Sequence, residues 1–176
     1  MTSAYIRLFF ILLCLLPQLS SADAQDDYSK GLQAYLQQDL LTAIDFLKSA
    51  ADQGYTKAQT LLGYIYDKAE ENGQALHYYK LAAERGDADG AYGMGNLYAS
   101  GEGVEQDFIQ AVMWYEIAAD KDHVHAIDVL ATAYLNGGLG LNKDPKKAIE
   151  LLQRGTALDH PSSKQKLEAI GEMSGG

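Results

Sequence analysis

The sequence predicts an all-α protein built from about four helix-turn-helix repeats and a closing helix. The first observation is a motif of small, large, large and small residues, which recurs at offsets of 32, 36 and 37 residues. The second is the spacing inside each copy, i, i+3, i+4 and i+7, which places these residues on one helix face. The third is a composition of 47% hydrophobic and 22% charged residues, which is typical of a globular chain.

The recurring motif defines the second helix of each repeat, called helix B here. Its clearest copy, residues 111–118, reads Ala-Val-Met-Trp-Tyr-Glu-Ile-Ala, whereas the fourth copy replaces the aromatic pair by Leu151 and Leu152. The small residues let a neighbouring helix approach, and the large pair fills the space between. We expect the signature aromatic residues of both helices to be buried in the core: Tyr66, Tyr98, Trp114 and Tyr134.

A second motif precedes helix B and defines helix A. It reads Leu-Gly-Tyr-Ile-Tyr at 62–66, Met-Gly-Asn-Leu-Tyr at 94–98 and Leu-Ala-Thr-Ala-Tyr at 130–134. A helical glycine costs about 1 kcal/mol relative to alanine, so packing must justify it. We expect Gly63 and Gly95 to lie where two helix backbones pack closely.

A glycine-rich loop joins helix A to helix B in the last two repeats. Gly101-Glu-Gly103 and its counterpart Gly138-Leu-Gly140 predict tight turns with positive φ. Asp107 and Asp144 each lie four residues before the first alanine of a helix B motif and are predicted N-caps.

Together, the elements LGxxY, GxGVxxD and AxxWYxxAA resemble the Sel1-like repeat family, which is related to tetratricopeptide repeats. The resemblance covers residues 27–170 and is complete in the third repeat, residues 91–126. It implies a right-handed α/α solenoid over residues 25–172, in which helix A lines the concave surface. The last segment, 162–172, is expected to be a polar capping helix whose Lys164, Lys166 and Glu168 face water.

The two ends of the chain are predicted to lie outside the repeat domain, with residues 1–24 as a cleaved signal peptide and 173–176 as a flexible tail. A basic residue precedes a short apolar run, 8–16, and a small-x-small site ends at Ala24. A membrane span needs roughly 20 apolar residues. We therefore expect a periplasmic or secreted protein with no membrane span in its mature form. Cys14, the only cysteine, lies in the signal, so no disulfide is expected.

The charge and the motifs argue against nucleic-acid binding and catalysis. With 14 Lys and Arg against 24 Asp and Glu, the formal charge is −10, whereas nucleic-acid binding depends on basic residues. His123 and His125 have acidic neighbours that could complete a metal site, but in the repeat register they form the turn between two helices. No motif for a nucleophile or a phosphate loop is present. We predict no catalytic residue, no metal and no cofactor.

Protein binding is the function that the remaining residues favour. On the helix A face, four pairs of residues lie outside the signature, and the members of each pair are four apart. Tyrosine with small polar residues suits protein recognition, although burial in the inter-repeat core is an equal alternative for the central tyrosines. The predicted groove residues are Tyr28, Leu32, Thr60, Tyr64, Tyr92, Asn96, Asp128 and Thr132.

A second candidate surface is acidic. Between residues 87 and 120 there are seven acidic residues and no Lys or Arg. A solvated surface would explain them, whereas the functional interpretation is a surface that steers a basic partner into place. The seven are Asp87, Asp89, Glu102, Glu105, Asp107, Glu116 and Asp120.

Three hypotheses for function follow, the first two from the resemblance and the third from the residues themselves. Small exported Sel1-like proteins of bacteria include immunity proteins that block phospholipase effectors of type VI secretion, so the first is an immunity protein whose partner is a basic toxin or effector. The second is a periplasmic scaffold or adaptor in envelope assembly, such as polysaccharide export or the flagellar motor, or a host-interaction factor. The third and least favoured is an enzyme that uses a metal at His123 and His125.

Overall fold

The computed structural model describes residues 22–174, and within this range it contains nine α-helices and no β-strand. Residues 1–21 of the predicted signal peptide, with Cys14, and the last two residues of the predicted tail lie outside the described residues. The described part of α1 spans 22–36, which includes Ala24. The others are α2 (Leu40–Asp52), α3 (Thr56–Lys68), α4 (Asn72–Glu84), α5 (Ala88–Ser100), α6 (Phe108–Asp120), α7 (Val124–Asn136), α8 (Pro145–Ala157) and α9 (Pro161–Ser174).

The helices alternate between the A and B types that the sequence predicts, with α3, α5 and α7 as helices A and α4, α6 and α8 as helices B. The chain divides into two compact units, Met1–Leu62 and Gly63–Gly176. In the second unit, each helix from α4 to α9 packs against the next one along the chain. This is the packing order of a helical repeat protein, and the all-α repeat fold is confirmed. Within the described range, no helix has the length and apolar character needed to cross a bilayer.

Two predicted N-cap residues begin helices B. The Asp107 carboxylate accepts hydrogen bonds from the backbone N–H groups of Ile109 and Gln110, at 2.9 and 3.0 Å. The Asp144 carboxylate accepts one from the N–H of Lys147 at 3.0 Å. Both predictions are confirmed, since each aspartate satisfies backbone donors that the first helical turn leaves free.

Glycines in the left-handed conformation end two of the helices A. Gly101 ends α5 with φ 80° and Gly137 ends α7 with φ 77°. The proposed counterpart of Gly101, Gly138, is therefore wrong, because the loop before α8 is one residue longer than the loop before α6. An added Cβ at Gly103, where φ is 74°, would lie 2.7 Å from the Cβ of Asn72. This loop consequently passes close to the start of α4.

Tyrosine rings, rather than backbones, occupy the space beside three glycines of helices A, Gly63, Gly93 and Gly95. A Cβ added at Gly63 of α3 would lie 2.5 Å from Cδ1 of Tyr79, and one added at Gly93 of α5 would lie 2.7 Å from the same ring. Gly95 relates to Tyr115 in the same way, at 2.6 Å. The expectation of close backbone contact at Gly63 and Gly95 is therefore wrong. These positions lack a side chain because a buried ring from helix B lies directly against them.

The second large residue of the helix B motif is buried in every copy, whereas the first is half-buried in all copies except the second, where Tyr78 is buried. Tyr115 is 3% exposed and Leu152 is fully covered, and Tyr66 and Tyr134 of helices A are also buried. Tyr98 and Trp114 are only half-buried, so their expected place in the core is wrong. Trp114 occupies the first large position of its motif, at the edge of the buried face. Its Nε1 is nevertheless inaccessible to solvent and makes no hydrogen bond within the described part of the chain.

Candidate protein interface

Four aromatic side chains form a row along the starts of α5, α7 and α9, which we call the ring row (Tyr92, His123, His125 and His160). Tyr92 stacks on His123 with ring centroids 4.5 Å apart and an interplanar angle of 25°. The His123 and His125 centroids are 5.7 Å apart, and His125 meets His160 edge to face at 5.3 Å. His125 is exposed, and Tyr92 and His160 are half-buried. The ring row therefore offers aromatic surface to the solvent.

His123 is held in the ring row through both of its ring nitrogens. Nδ1 accepts a hydrogen bond from the N–H of Ala126 at 3.2 Å and so caps α7. Nε2 lies 3.0 Å from Oδ1 of Asp89. Because Nδ1 is an acceptor, the proton of the neutral ring is on Nε2 and is donated to Asp89. This hydrogen bond holds the pKa of Asp89 below its ordinary value.

The predicted turn position of His123 is confirmed, since it precedes α7 as Asp87 precedes α5. Asp87 fills the same capping role, accepting from the N–H of Gly90 at 2.7 Å. His160 directly precedes α9, in the matching turn. Among residues 22–174, no cluster of three or more His, Cys, Asp or Glu has an arrangement suited to a metal ion.

In the first unit, the predicted groove residues Tyr28, Leu32 and Thr60 are all half-buried. The Tyr28 ring packs against Tyr55 with centroids 5.1 Å apart, and burial raises the pKa of the Tyr28 hydroxyl. The Thr60 hydroxyl donates to the backbone carbonyl of Thr56 at 3.1 Å. These contacts hold Tyr28 and Thr60 within their own unit.

In the second unit, three of the predicted groove residues keep accessible surface. Tyr64 is 42% exposed, with the Lys68 amine 5.5 Å from its ring centroid. Asn96 is also exposed, and its Oδ1 accepts a hydrogen bond from the Tyr115 hydroxyl at 2.8 Å. Burial raises the pKa of that hydroxyl to about 12, so it stays protonated and donates at neutral pH. Tyr92, in the ring row, is the third.

The other two groove residues of the second unit, Asp128 and Thr132, are covered by the closing helix α9. The Asp128 carboxylate accepts from the Ser162 hydroxyl at 3.1 Å and from the Lys166 amine at 2.7 Å. The same amine donates to Oγ1 of Thr132 at 2.7 Å. The expectation that Lys166 simply faces water is therefore wrong, whereas Lys164 and Glu168 are exposed.

The seven residues of the predicted acidic surface have different settings in the structure. Asp87 and Asp107 are occupied as N-caps, and Asp89 accepts the hydrogen bond from His123. The other four are exposed, two in the loop before α6 and two on α6 itself: Glu102, Glu105, Glu116 and Asp120. The charge available to a partner therefore lies on the loop and on helix B.

A cleft of about 360 Å³, which was not among the predicted sites, opens between α6 and α8. We call it the B cleft and define it by its lining residues. Its walls come from the two helices B and its remaining contacts from α7, in the second unit alone. The lining residues are Glu116, Ala119, Asp120, Leu130, Tyr134, Lys147, Glu150, Leu151 and Arg154.

Comparison with known proteins identifies four repeats in this chain. The model of the Sel1 repeat matches residues 24–55, 56–87, 88–123 and 125–160. DAP3-binding cell death enhancer 1 of Rattus norvegicus is 34% identical over 52% of this chain and 18% of its own length. Chitin synthase regulatory factor 2 of Schizosaccharomyces pombe is 29% identical over 95% of this chain and 33% of its own. The chain thus spans a third or less of these relatives.

A solved structure has the same fold. It is described as a protective antigen present in uropathogenic Escherichia coli strains that displays an SLR fold. It superposes on this chain with a TM-score of 0.77 and 28% sequence identity, covering 90% of this chain and 36% of the other.

Proposed function

This chain belongs to the Sel1 repeat family, and on that premise we propose that it is a non-catalytic protein that acts by binding another protein. Its most specific proposed role is that of an exported immunity protein, which binds and neutralises a phospholipase-type effector of type VI secretion in the periplasm. Sel1 repeat proteins mediate protein–protein interactions. The observation that carries the proposal is the ring row, a partly exposed series of rings at the starts of α5, α7 and α9.

The ring row has the properties of a recognition surface. Tyr92 and His123 are fixed by stacking, and His123 is fixed further by two hydrogen bonds, so little side-chain entropy is lost when a partner binds. Rigid aromatic groups with a polar edge supply much of the binding energy in protein interfaces. Asn96 lies one turn along α5 from Tyr92 and adds an exposed amide to the same face.

Charge supports a basic partner. The chain carries a formal charge of −10. A net charge of this size accelerates association with a positively charged protein, and this acceleration falls as the ionic strength rises. The signal-like pattern of residues 1–24 supports export, which an immunity protein needs in order to meet a toxin delivered to the periplasm.

A periplasmic scaffold or a host-interaction factor is the second candidate. The relative that matches 95% of this chain is named a regulatory factor, which favours an adaptor role. The protein with the similar solved structure is described as a protective antigen, which favours contact with a host. Both roles use the same type of binding surface and differ from immunity in the partner.

The immunity proposal is tested by expressing a phospholipase effector from a neighbouring gene in the periplasm, with and without this protein. We expect the protein to restore growth and to bind the purified effector. Tyr64→Ala and Tyr92→Ala should weaken that binding about tenfold or more, which corresponds to 1.4 kcal/mol. Phe108→Ala is the matched control, since Phe108 is 40% exposed but lies on helix B.

Two results would contradict the proposal. If cells that lack the protein resist every phospholipase effector of their own strain, immunity is excluded. If a complex forms with a resident envelope protein and only motility or polysaccharide export fails on deletion, the scaffold role replaces it.

A further inference from the structure

We propose that the B cleft is a second docking site, which receives a cationic amphipathic segment of a partner protein. It lies on helices B, whereas the ring row lies at the starts of helices A. The inference therefore goes beyond the proposed immunity role and does not require it.

The B cleft lies where the fourth repeat has a smaller side chain than the third. In the repeat register, Leu151 of α8 corresponds to Trp114 of α6. The indole of Trp114 is half-buried, and its Nε1 is inaccessible to solvent. Leu151 has a much smaller side chain and lines the open space. The fourth repeat thus leaves unfilled the volume that an aromatic residue occupies in the third.

The lining of the B cleft is suited to a cation. Glu116 and Asp120 of α6 and Glu150 of α8 are exposed, and within the described range none of the three forms an ion pair. Charged groups facing a low-dielectric wall attract an opposite charge more strongly than the same groups in open solvent do. A Lys or Arg side chain entering the cleft would pair with carboxylates that the fold leaves available.

The two cations that line the B cleft are already engaged. The Lys147 amine donates to the Tyr134 hydroxyl at 2.8 Å and lies 4.6 Å from the centroid of the same ring. The Arg154 guanidinium donates to Asp122 at 2.9 Å from Nε, and a second nitrogen lies 2.8 Å from the same oxygen. Asp122 therefore compensates the charge of Arg154, whereas Lys147 keeps its charge and its ammonium interacts with Glu116. The three carboxylates outnumber this one uncompensated cation, so the cleft as a whole remains acidic.

The apolar part of the lining fits the stem of a long basic side chain. Ala119, Leu130 and Leu151 line the B cleft from three helices. Lys and Arg cover apolar surface with their methylene stems while the charged head reaches a polar rim. At about 360 Å³, the cleft holds one or two such side chains rather than a whole helix.

An apolar stripe on α6 continues the site and argues for an amphipathic segment. Ile109 and Met113 share one helix face with Glu116 and Asp120, at spacings of 4, 7 and 11 residues from Ile109. Ile109 is 82% exposed and Met113 is 39% exposed. From Ile109 to Asp120 the stripe is about 16 Å long, which a partner helix of three turns covers. Such a helix would place apolar residues on Ile109 and Met113 and basic residues over the cleft.

The test measures binding of a labelled peptide by fluorescence anisotropy. The probe is an amphipathic peptide of Leu, Ala and Arg, about 14 residues or four turns long. The comparison peptide has Glu in place of Arg. We expect the Arg peptide to bind the wild-type protein and the Glu peptide not to bind.

Two variants test the site itself. Leu151→Trp restores the residue type of the third repeat, fills the cleft and should weaken peptide binding about tenfold or more. The combination Glu116→Gln, Asp120→Asn and Glu150→Gln removes the three available carboxylates and should have an effect of similar size. Ile109→Ser should weaken binding as well, whereas Leu41→Ser, an equally exposed leucine at the equivalent position of the first repeat, should not.

The control for net charge is a variant with the same three-unit change elsewhere: Glu102→Gln, Glu105→Gln and Glu168→Gln. Far-UV circular dichroism checks that each variant stays folded, and the charge variants test the site independently if Leu151→Trp does not fold. Three results would overturn the proposal: no binding of the Arg peptide to the wild type, undiminished binding by folded Leu151→Trp, or equal weakening in the charge control. All three results leave the tests of the proposed function, the Tyr64 and Tyr92 variants and the protection assay, unaffected.

Discussion

The close packing of Gly63 and Tyr79 predicts that Gly63→Ala destabilises the protein, which is the opposite of what helix propensity predicts. Gly63 lies inside α3, where alanine is the better helix former by about 1 kcal/mol. Propensity therefore predicts that Gly63→Ala stabilises the protein. The packing predicts the opposite, because the new methyl group would lie 2.5, 2.7 and 2.9 Å from three atoms of the Tyr79 ring.

The size of the effect follows from how little the ring can move. Ordinary contact begins near 3.4 Å, so the ring must retreat by roughly 1 Å. The same ring also lies directly against Gly93 of α5, where an added Cβ would be 2.7 Å away. Overpacking of this kind costs about 1–3 kcal/mol, and a ring confined by two neighbouring helices belongs at the upper end. After the gain in propensity, we expect Gly63→Ala to lower the free energy of unfolding by about 2 kcal/mol.

The assay is urea unfolding followed by far-UV circular dichroism. Gly73→Ala is the control, because Gly73 lies in the same helix as Tyr79 and an added Cβ there meets nothing within 4 Å. It should stabilise the protein by up to about 1 kcal/mol. A double-mutant cycle with Tyr79→Leu reproduces the fourth repeat, which has Ala131 and Leu152 at the equivalent positions. With Leu at 79, the Gly63→Ala change should become neutral or stabilising.

Packing of the ring does not decide the residue at position 63 if Gly63→Ala stabilises the wild type as Gly73→Ala does. The same conclusion follows if Gly63→Ala has the same effect with Tyr and with Leu at position 79. Either result would mean that the ring does not require a glycine beside it.

Three further predictions concern single contacts. Asp107→Ala removes the cap from two backbone N–H groups and should cost about 0.5–2 kcal/mol in urea unfolding. Asp89→Asn should cost no more than about 1 kcal/mol at pH 7, since the carboxylate is mostly exposed. The His123 hydrogen bond lowers the pKa of Asp89, so the stability difference between the wild type and Asp89→Asn is present above a pH of about 4 and should vanish as the pH falls through the lowered pKa. A stability difference that persisted or grew in acid would show that it does not come from the ionised Asp89. Lys166→Ala leaves Asp128 without its cation and should speed hydrogen exchange in α9 more than in α5; equal changes would mean that the pair does not hold the closing helix.

The repeat architecture was predictable because its signals are local and recur. Alanine spacing fixes the buried face of each helix B, and the aspartates before α6 and α8 cap the first turn as side chains of that length do. The reason why helices A have a glycine at positions such as Gly63 was not predictable in the same way. Whether Gly63 faces a backbone or a ring depends on which residue of the next helix reaches it, and sequence spacing carries no such information.

The candidate interface was predictable only in part, because its residues come from different repeats. Tyr92 was identified from its position on helix A, but its partners His123 and His125 were interpreted separately as turn residues. Their meeting requires the distance between α5 and α7, which follows from packing rather than from either motif. The B cleft did have a signal in the sequence, the replacement of Trp114 by Leu151. Its meaning depends on the volume around that position, which only the packed helices define.

The closing helix also sets a rule for lengthening or shortening the chain. Besides the Ser162 hydroxyl, α9 contacts α7 through the amine of Lys166, which reaches a carboxylate and a hydroxyl four residues apart on α7. The helix A of the third repeat, α5, carries Tyr92 and Asn96 at the two positions that correspond to Asp128 and Thr132. An extra repeat placed before α9 would therefore have to end with an acidic residue and a threonine in the Asp128 and Thr132 register. A copy of the third repeat would give the closing helix no counterion, and the engineered array would fray at that end.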